Sequence, residues 1–413
     1  MKNILIIKFY YVIAFGLLLI FSKVTIAQQS LFDLLQEAEK NNPALISQHN
    51  KYLAAMEKVN QISLPEPMGG LGYMLMPAEM RQGLQFSLMQ DLPWFGMLAL
   101  RREELKVMAE MEELVYREKK NNLIATIKEK WFMLFAMDRM MVSEQHHLEN
   151  YQNIEKVVSS RYETGKSSLG ELLEVKFMIE EIKNEITKIT KEKELIKDEI
   201  LLLLNRKSGD SLFQPFTLDL FYLPYPDSTL KNYILTNNPM ILRMEKMIYA
   251  TELGRQMLKK DSKPMFTLGF DYAILNQAET HGSSGGYESF LMPSIKLKLP
   301  IKRKKYNSWQ KEKEFEIVML NADKENVKNE MLNELNKMLF EYRNNERNIE
   351  LYLKQIELTQ QMVELMKTEY ESMGMGFDKI LHMEHEIREL TVNVEKSYIE
   401  MSVMAFKIQA MYE

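Results

Sequence analysis

The chain has 413 residues, a length that suits two ordinary domains or one elongated structure. A hydrophobic content of 46% excludes a disordered chain, and charged residues of both signs make up 27%, as in long solvated helices. The net charge is −5 and no basic patch is interleaved with aromatic residues, so nucleic acid is not an expected partner. Cysteine is absent, which excludes a disulfide framework and a lipid-modified N-terminal cysteine.

The first residues have the pattern of a secretory signal. Lys2 and Lys8 form a basic start, residues 9–21 form an apolar core, and Thr25–Ala27 offers a small-residue cleavage site. An uncleaved membrane anchor is the alternative, but the apolar core is short for a span of roughly 20 residues. We therefore predict that residues 1–27 are a signal peptide and that the chain is exported.

The mature chain begins with a helix and then changes to strands. Residues 31–60 have a helical pattern that is interrupted at Asn41–Pro43, where the proline suits the first turn of a continuing helix. Over about 68–91, apolar residues alternate with small or polar ones, which predicts a β-hairpin with one apolar face. A pair of long helices is predicted over 94–207, so that 28–207 form a first repeat.

The same order of elements returns in the second half. Residues 208–227 contain three prolines and several aromatic residues, as in a linker. The second repeat, 228–413, again predicts a helix, a β-hairpin at about 264–300 and a pair of long helices at 305–413. We interpret the chain as a tandem duplication of one long-helix unit.

The turns between the long helices show the repeat most clearly. Residues 161–175 (RYETGKSSLGELLEV) correspond to 369–383 (EYESMGMGFDKILHM), at a constant offset that pairs Tyr162 with Tyr370. After each turn, apolar residues recur at alternating steps of three and four, the pattern of a coiled-coil seam. The seam residues are Leu172, Val175, Ile179, Ile182, Ile186, Ile189, Lys193, Ile196, Ile200 and Leu203, and then Ile380, Met383, Ile387, Leu390, Val394, Ser397, Met401, Met404, Ile408 and Met411.

Hairpins combined with very long helices predict a barrel that several chains share. Each predicted strand has roughly ten residues, the length of a tilted membrane-spanning strand. Four strands cannot close into a barrel, and open strand edges do not survive in lipid. Three chains would supply about 12 strands, within the range of outer-membrane barrels. The predicted fold class is therefore mainly α with membrane β, in which helix pairs form an α-barrel and strands join a shared trimeric β-barrel.

With these features the sequence resembles the outer membrane efflux protein family, the TolC-like channels of Gram-negative envelopes. The resemblance covers nearly the whole mature chain and is carried by LMQDLPWFG (88–96) and by the turns RYETG and EYESMG. It implies a homotrimer with a barrel in the outer membrane, in contact with its lipid, and a helical tunnel in the periplasm. It also implies a periplasmic adaptor protein and an inner-membrane pump as partners, and no cofactor.

The resemblance further implies that the tunnel closes near the two turns, where the family often carries acidic residues. In this chain Glu171 and Glu174 follow the first turn, but Lys379 and His382 occupy the matching positions after the second. We therefore expect a mixed constriction in which Glu171 or Glu174 pairs with Lys379. The alternative is a solvated helix face without a gating role. The gate and tip candidates are Arg161, Tyr162, Gly165, Glu171, Glu174, Tyr370, Gly374, Lys379 and His382.

The junction between strand and helix after the first hairpin is expected at a membrane interface. Pro93 ends a strand there, and Trp94 and Phe95 follow it. Aromatic rings of this kind are favoured at the boundary between lipid and water.

The predicted function is a passive exit duct of a tripartite efflux system in the outer membrane, and not an enzyme. Gly282–Gly286 matches G-x-S-x-G, but it joins two strands, whereas a nucleophile elbow needs a strand-to-helix turn. A secreted coiled-coil scaffold is the alternative of another class. A copper or silver efflux channel is the alternative for the cargo, because thioether and imidazole ligands suit Cu(I). The residues concerned are Met373, Met375, His382 and His385.

Overall fold

A computed structural model describes residues 31–76, 81–212, 222–276, 286–373 and 376–413. The predicted signal peptide, most of the G-x-S-x-G segment and part of the predicted linker lie outside these residues. The gate candidate Gly374 and two metal candidates, Met375 and the Met373 side chain, lie outside them as well.

The elements follow the order helix, hairpin and long helix pair, and this order occurs twice, as the sequence predicts. In chain order they are α1 (Leu31–Asn41), α2 (Pro43–Asn60), β1 (Met68–Met76), β2 (Arg81–Leu92), α3 (Met97–Glu163), α4 (Leu169–Leu203), α5 (Asp227–Asn237), α6 (Pro239–Asp261), β3 (Met265–Asn276), β4 (Tyr287–Lys298), α7 (Arg303–Met373) and α8 (Phe377–Ala410). The first long helix begins three residues later than predicted, because Trp94, Phe95 and Gly96 form a turn closed by a 2.9 Å bond from the Met97 N–H to the Trp94 carbonyl.

The structure confirms the predicted Asn-Pro helix start at Pro43 and contains a second one at Pro239. Asn42 precedes α2 and Asn238 precedes α6, and each is followed by a proline at the first helical position. The side-chain oxygen of each asparagine accepts hydrogen bonds of 3.0 and 3.3 Å from two backbone N–H groups of the first turn. The asparagine thereby satisfies donors that have no partner inside the helix, and proline supplies a φ angle that suits the helix.

Replacing Asn238 by alanine is expected to lower the free energy of unfolding by about 2 kcal/mol. The loss of the helix cap costs about 1 kcal/mol. The Asn238 amide also donates a buried 2.8 Å hydrogen bond to the Met411 carbonyl, so its loss is expected to cost about 1 kcal/mol more. Asn238→Ser, which keeps a cap oxygen but lacks the amide donor, is expected to recover about half of the loss, as measured by urea titration of the helical circular dichroism signal. A loss in Asn238→Ser as large as that in Asn238→Ala would contradict the contribution of the cap.

The four strands form one antiparallel sheet in the order β1-β2-β3-β4. Its register places Leu71, Phe86, Tyr272 and Leu291 in one row across the sheet. These side chains are 71%, 46%, 41% and 62% exposed. The other large exposed apolar residues of this face are Tyr73, Leu75, Leu84, Leu88, Phe266, Leu268, Phe270, Tyr287, Ile295 and Leu297. The predicted apolar face of the hairpins is therefore one continuous surface over all four strands.

The opposite face carries polar side chains that bond to one another. Gln85 and Ser294 donate hydrogen bonds of 3.0 and 3.4 Å to the two carboxylate oxygens of Asp271, and the Thr267 hydroxyl donates to Asp91. All five residues are half-buried. The sheet thus exposes its apolar residues more than these polar ones, the reverse of a sheet in a water-soluble protein.

The chain divides into two compact units, and each takes residues from both sequence repeats. The first comprises the described residues within 31–40, 127–212 and 347–399, and the second comprises the described residues within 41–126, 222–346 and 400–413. The first unit has a core of Tyr151, Val158, Leu172, Val175, Ile179, Ile182, Tyr370, Phe377, Ile380 and Leu381. A core of the second contains Leu230, Ile234, Leu335, Met338, Leu339, Ile408 and Met411.

The residues of the predicted seams lie away from solvent. Every seam residue of α4 and α8, together with Met411, is buried or half-buried. Even the two polar members follow the pattern: Lys193 forms an ion pair with Asp138, and Ser397 is 5% exposed. Among the helices in the described part of the chain, none has a stretch long and apolar enough to cross a membrane.

Candidate functional site

The first turn ends α3 with a left-handed glycine. Gly165 has a φ of +71°, and no atom lies within 4 Å of where its Cβ would be, so the backbone conformation alone requires glycine. Its N–H donates to the Tyr162 carbonyl at 2.9 Å, and the Lys166 N–H donates to the Arg161 carbonyl at 2.8 Å. These two bonds form a Schellman motif, which satisfies carbonyl groups at the helix end.

Glu171, a gate candidate, caps α4. The Ser168 hydroxyl accepts a 3.1 Å hydrogen bond from the Glu171 N–H, and the Glu171 carboxylate accepts from the Ser168 N–H at 3.3 Å and from the Ser167 hydroxyl. This reciprocal arrangement is a capping box, which favours helix formation at its N-terminus. Sequence analysis missed this role, although S-x-x-E at 168–171 is its signature. The carboxylate therefore has a local structural function beside any function in a channel.

The second turn uses glycine where the first uses serine. Gly376 has a φ of +90°, and its carbonyl accepts from the N–H groups of Lys379 and Ile380 at 3.1 and 3.3 Å. Glycine has no side chain to complete a capping box, so nothing in this turn requires an acid at the position of Lys379. The two turns therefore differ in their backbone as well as in charge, because the residue that matches Gly165 is Met373, the last residue of α7.

Arg161 and Tyr370 come from different repeats and meet beside these turns. The Arg161 guanidinium carbon lies 4.3 Å from the centre of the Tyr370 ring, a cation–π contact. Tyr370 is 7% exposed and packs against Phe377 with ring centres 5.4 Å apart. Burial raises the pKa of the Tyr370 hydroxyl. Tyr162, its partner in the repeat, is 43% exposed, so the matched tyrosines have different surroundings.

An apolar groove of about 250 Å³ lies beside this contact. It is lined by Asn153, Ile154, Val157, Val158, Arg161, Lys367, Tyr370, Phe377 and Ile380. The groove belongs to the first unit, and four of its lining residues are also members of that unit's hydrophobic core: Val158, Tyr370, Phe377 and Ile380.

The expected ion pair between a glutamate of the first repeat, Glu171 or Glu174, and Lys379 of the second repeat is not formed within one chain. Glu171 bonds to the serines of its own turn, whereas Glu174, Lys379 and His382 are exposed. In the described part of the chain no ion pair joins either glutamate to Lys379. Their exposed side chains remain accessible to a neighbouring chain, so the mixed constriction stays a prediction for an assembly.

The expected interface residues form an aromatic group at the end of β2. Trp94 stacks on Phe266 with ring centres 6.4 Å apart and meets the Phe95 ring edge-on at 6.1 Å. Phe95 is 83% exposed, and its carbonyl accepts a 2.8 Å hydrogen bond from the Lys260 ammonium. The group therefore joins the apolar face of the sheet to the start of α3.

No protein-family model and no curated protein matches the sequence significantly. Solved structures do match. CusC, which forms a transmembrane channel, has a TM-score of 0.75 and 17% identity over 93% of this chain and 92% of its own. The outer-membrane channel OprN has a TM-score of 0.75 and 16% identity over 92% of this chain and 89% of its own. VceC, an outer membrane protein from Vibrio cholerae, has a TM-score of 0.71 and 13% identity over 92% of this chain and 94% of its own.

The chain has the fold of an outer-membrane channel. This channel fold confirms the predicted fold class of long helix pairs with four strands, and it is the fold that the resemblance to TolC-like channels implies.

Within this channel fold, the first unit contains a buried charge cluster that sequence analysis missed. The Arg388 Nε lies 2.8 and 3.1 Å from the two Glu144 carboxylate oxygens, and its Nη1 lies 3.0 Å from Glu181. Glu144 is 1% exposed and Arg388 is 7% exposed. Burial raises the pKa of Glu144, whereas Arg388 lowers it. Burial and the positive charge of Arg388 together lower the pKa of the nearby His147 to about 4.

The predicted metal site stays a prediction. His382 is exposed, and the His385 Nε2 lies 3.5 Å from the Glu389 carboxylate. In the part of the chain that the structure describes, no group of three or more His, Asp or Glu side chains is placed to hold a metal ion. The thioethers of Met373 and Met375, which complete the predicted set, lie outside that part.

Proposed function

We propose that this protein is the outer-membrane channel of a tripartite efflux system, a passive duct that breaks no bond. The observation that carries the proposal is the sheet, whose apolar side chains are exposed over all four strands while the polar residues opposite are half-buried. A continuous apolar surface of this kind marks a site of contact with a partner or a membrane. Alternation of apolar and polar residues over such strands is typical of a barrel with lipid outside and water inside.

A homotrimer would complete the sheet. In the described chain, β1 and β4 each pair with a neighbour on one side only, and unpaired edges do not occur in lipid. Because neighbouring strands are antiparallel, β4 of one copy can pair with β1 of the next in the same alternating sense. Three copies would give about 12 strands, and closure would satisfy every edge. The likeness to channel structures in fold supports this arrangement.

The helical part of the proposed duct is a periplasmic tunnel whose end is formed by the two turns. The energy for transport comes from an inner-membrane pump, reached through a periplasmic adaptor, and the duct contributes a water-filled path and a gate. The groove beside Arg161 and Tyr370 gives the turn region an apolar surface that suits contact with an adaptor. The positive φ angles of Gly165 and Gly376 place a glycine at each turn of the gate region.

Fractionation and conductance test the proposed function together. The full chain is expected in the outer-membrane fraction as a trimer, and the purified trimer is expected to conduct ions in a planar bilayer. A protein that is recovered only in the soluble fraction and does not conduct would overturn the proposal and favour the secreted coiled-coil scaffold.

Replacing Arg161 by alanine is expected to raise the single-channel conductance or the open probability. The change removes a cation–π contact that joins the end of α3 to α7, a contact worth about 1 kcal/mol, which would shift a closed-to-open equilibrium about fivefold. Lys166→Ala, which removes an exposed cation from the same turn, is the matched control and is expected to leave conductance near the parent value. Unchanged gating in Arg161→Ala would remove Arg161 and Tyr370 from the gate.

A further inference from the structure

A basic cavity lies where the start of β3 and the end of β4 meet the starts of α3 and α7. Its volume is about 330 Å³, and its charged lining residues are Lys260, Lys263, Lys298, Lys305 and Asp261. Trp94, Tyr306 and Trp309 also line it. Four lysines and one aspartate give the cavity a positive potential, although the chain as a whole has a net charge of −5.

Two of these lysines are fixed by contacts with the protein. The Lys260 ammonium donates a 2.8 Å hydrogen bond to the Phe95 carbonyl, and the Lys305 ammonium lies 4.3 Å from the centre of the Trp309 ring. The other two, Lys263 and Lys298, are exposed. The cavity also adjoins the run Lys302–Lys305, four consecutive basic residues. An anion in the cavity would relieve the mutual repulsion of these cations.

An apolar groove adjoins the basic cavity and shares Pro93 and Trp94 with it. The groove has a volume of about 720 Å³. Its other lining residues are Leu64, Leu92, Phe95, Gly96, Leu98, Ala99, Phe266, Leu268 and Ile295. Phe266, Leu268 and Ile295 belong to the exposed apolar face of the sheet, so the groove continues that face towards the lysines.

We propose that the cavity and the groove together bind an anionic glycerophospholipid, with its phosphate head among the lysines and an acyl chain in the groove. The inference rests on the proposed function, because the apolar face of the sheet must lie in lipid. A free phosphate ion shares the head-group chemistry, but it would leave the adjoining groove unused. A lipid uses both, and lysine and tryptophan at the edge of an apolar surface are the residues that anchor proteins at a membrane interface.

The charge balance of the cavity selects an anionic head group over a zwitterionic one. A zwitterionic lipid carries its own ammonium group, which four lysines repel and one aspartate can only partly attract. An anionic lipid has an uncompensated phosphate that each nearby lysine attracts. We therefore expect the site to prefer phosphatidylglycerol over phosphatidylcholine with the same acyl chains.

The test uses the full-length protein, purified in detergent, and a double variant, Lys263→Gln with Lys298→Gln. These two lysines are exposed, so their replacement disturbs no buried contact. The matched control is Lys58→Gln with Lys231→Gln, which removes the same charge from exposed positions of the same unit outside the cavity. Native mass spectrometry measures the binding of phosphatidylglycerol, phosphatidylcholine and inorganic phosphate to each protein, and circular dichroism confirms that each variant is folded.

The parent and the control are expected to bind phosphatidylglycerol in preference to phosphatidylcholine, and the cavity variant is expected to bind it about tenfold more weakly. Equal binding of the two lipids, or an equal loss in the control, would overturn the site. Binding of inorganic phosphate as strong as that of phosphatidylglycerol would overturn the lipid as its ligand. Conductance of the same preparations separates the two proposals: a conducting trimer without lipid preference overturns only this inference, whereas a soluble protein that does not conduct overturns both.

Discussion

Replacing Arg388 by alanine is expected to lower the free energy of unfolding by about 3–5 kcal/mol, because the change leaves a buried charge without its partner. Arg388 on α8 contacts Glu144 on α3 at 2.8 Å and Glu181 on α4 at 3.0 Å, so one side chain joins three helices. Glu144 is 1% exposed in the folded state, so its charge has little solvation to replace the arginine. Urea titration of the helical signal of the purified protein measures the loss.

The deficit of this variant is expected to shrink as the pH falls. Burial raises the pKa of Glu144 and Arg388 lowers it, so without the arginine the folded-state pKa rises further above the unfolded value. A carboxyl group with a raised folded-state pKa loses stability as the pH rises through that pKa and regains it as the pH falls. Burial, and to a smaller extent Arg388, lower the pKa of His147 to about 4. Without Arg388 this pKa is less depressed, so the variant loses less stability than the parent when the pH falls. Both changes act in the same direction as the pH falls from 6.5 to 4.5, the ordinary pKa values of histidine and glutamate.

Two further variants show whether the loss of stability comes from breaking the buried ion pair or would follow the removal of any basic side chain. Lys183→Ala removes an ion pair with Glu180 whose side chains are 50% and 72% exposed, and it is expected to cost at most about 1 kcal/mol. Arg388→Met combined with Glu144→Leu replaces both charges by apolar groups and is expected to recover much of the loss. A deficit in Arg388→Ala as small as that in Lys183→Ala, or one that does not depend on pH, would contradict the mechanism.

The periodic parts of this fold can be predicted from the sequence because their physical cause is local. A helix that buries one face repeats its apolar residues every three or four positions, so the seams after Leu172 and Ile380 follow from the amino-acid sequence alone. The hairpins follow for the same reason, since alternate side chains of a strand lie on opposite faces. The Asn-Pro helix starts are also predictable, because the cap and the proline are neighbours in the chain.

The contacts between repeats could not be predicted, because no spacing connects their members. Arg388, Glu144 and Glu181 lie on three helices, and each looks like an ordinary charged residue of a solvated face. The contact between Arg161 and Tyr370 has no sequence signal either. In the basic cavity the run at 302–305 is visible, but its approach to Lys260 and Lys298 depends on how the ends of the sheet and the helices meet.

Glu171 has a capping role that the sequence signals locally and that we did not predict. The S-x-x-E signature of its capping box is local and present in the sequence, but the resemblance to a channel family favoured a charge at the constriction. The two roles are compatible for Glu171, since only one carboxylate oxygen is used in the cap. The absence of a matching acid at Lys379 follows from Gly376, which needs no side chain to begin α8. Charge at a turn is therefore weak evidence for a gate until local capping has been considered.

Replacing Phe86 by lysine is expected to prevent stable assembly in the outer membrane. Phe86 lies in the second strand of the apolar row and is 46% exposed. In the proposed barrel the new ammonium group would face lipid, which costs about 2–4 kcal/mol near the middle of the bilayer, and each chain of a trimer would carry it. The expected result is loss of the trimer from the outer-membrane fraction and loss of conductance, with the helical signal of the chain retained.

Gln85→Lys is the matched control, because it introduces the same charge one residue away on the opposite face. The Gln85 amide donates a 3.0 Å hydrogen bond to Asp271, and a lysine there can pair with the same carboxylate. The Gln85 variant is therefore expected to assemble and conduct nearly as the parent does. If both variants assembled equally well, the exposed apolar face would not lie against lipid, and the duct would have to be abandoned in favour of a soluble coiled-coil scaffold. If only Phe86→Lys failed, the difference would lie in the face of the sheet, since the introduced residue and the strand are the same in both variants.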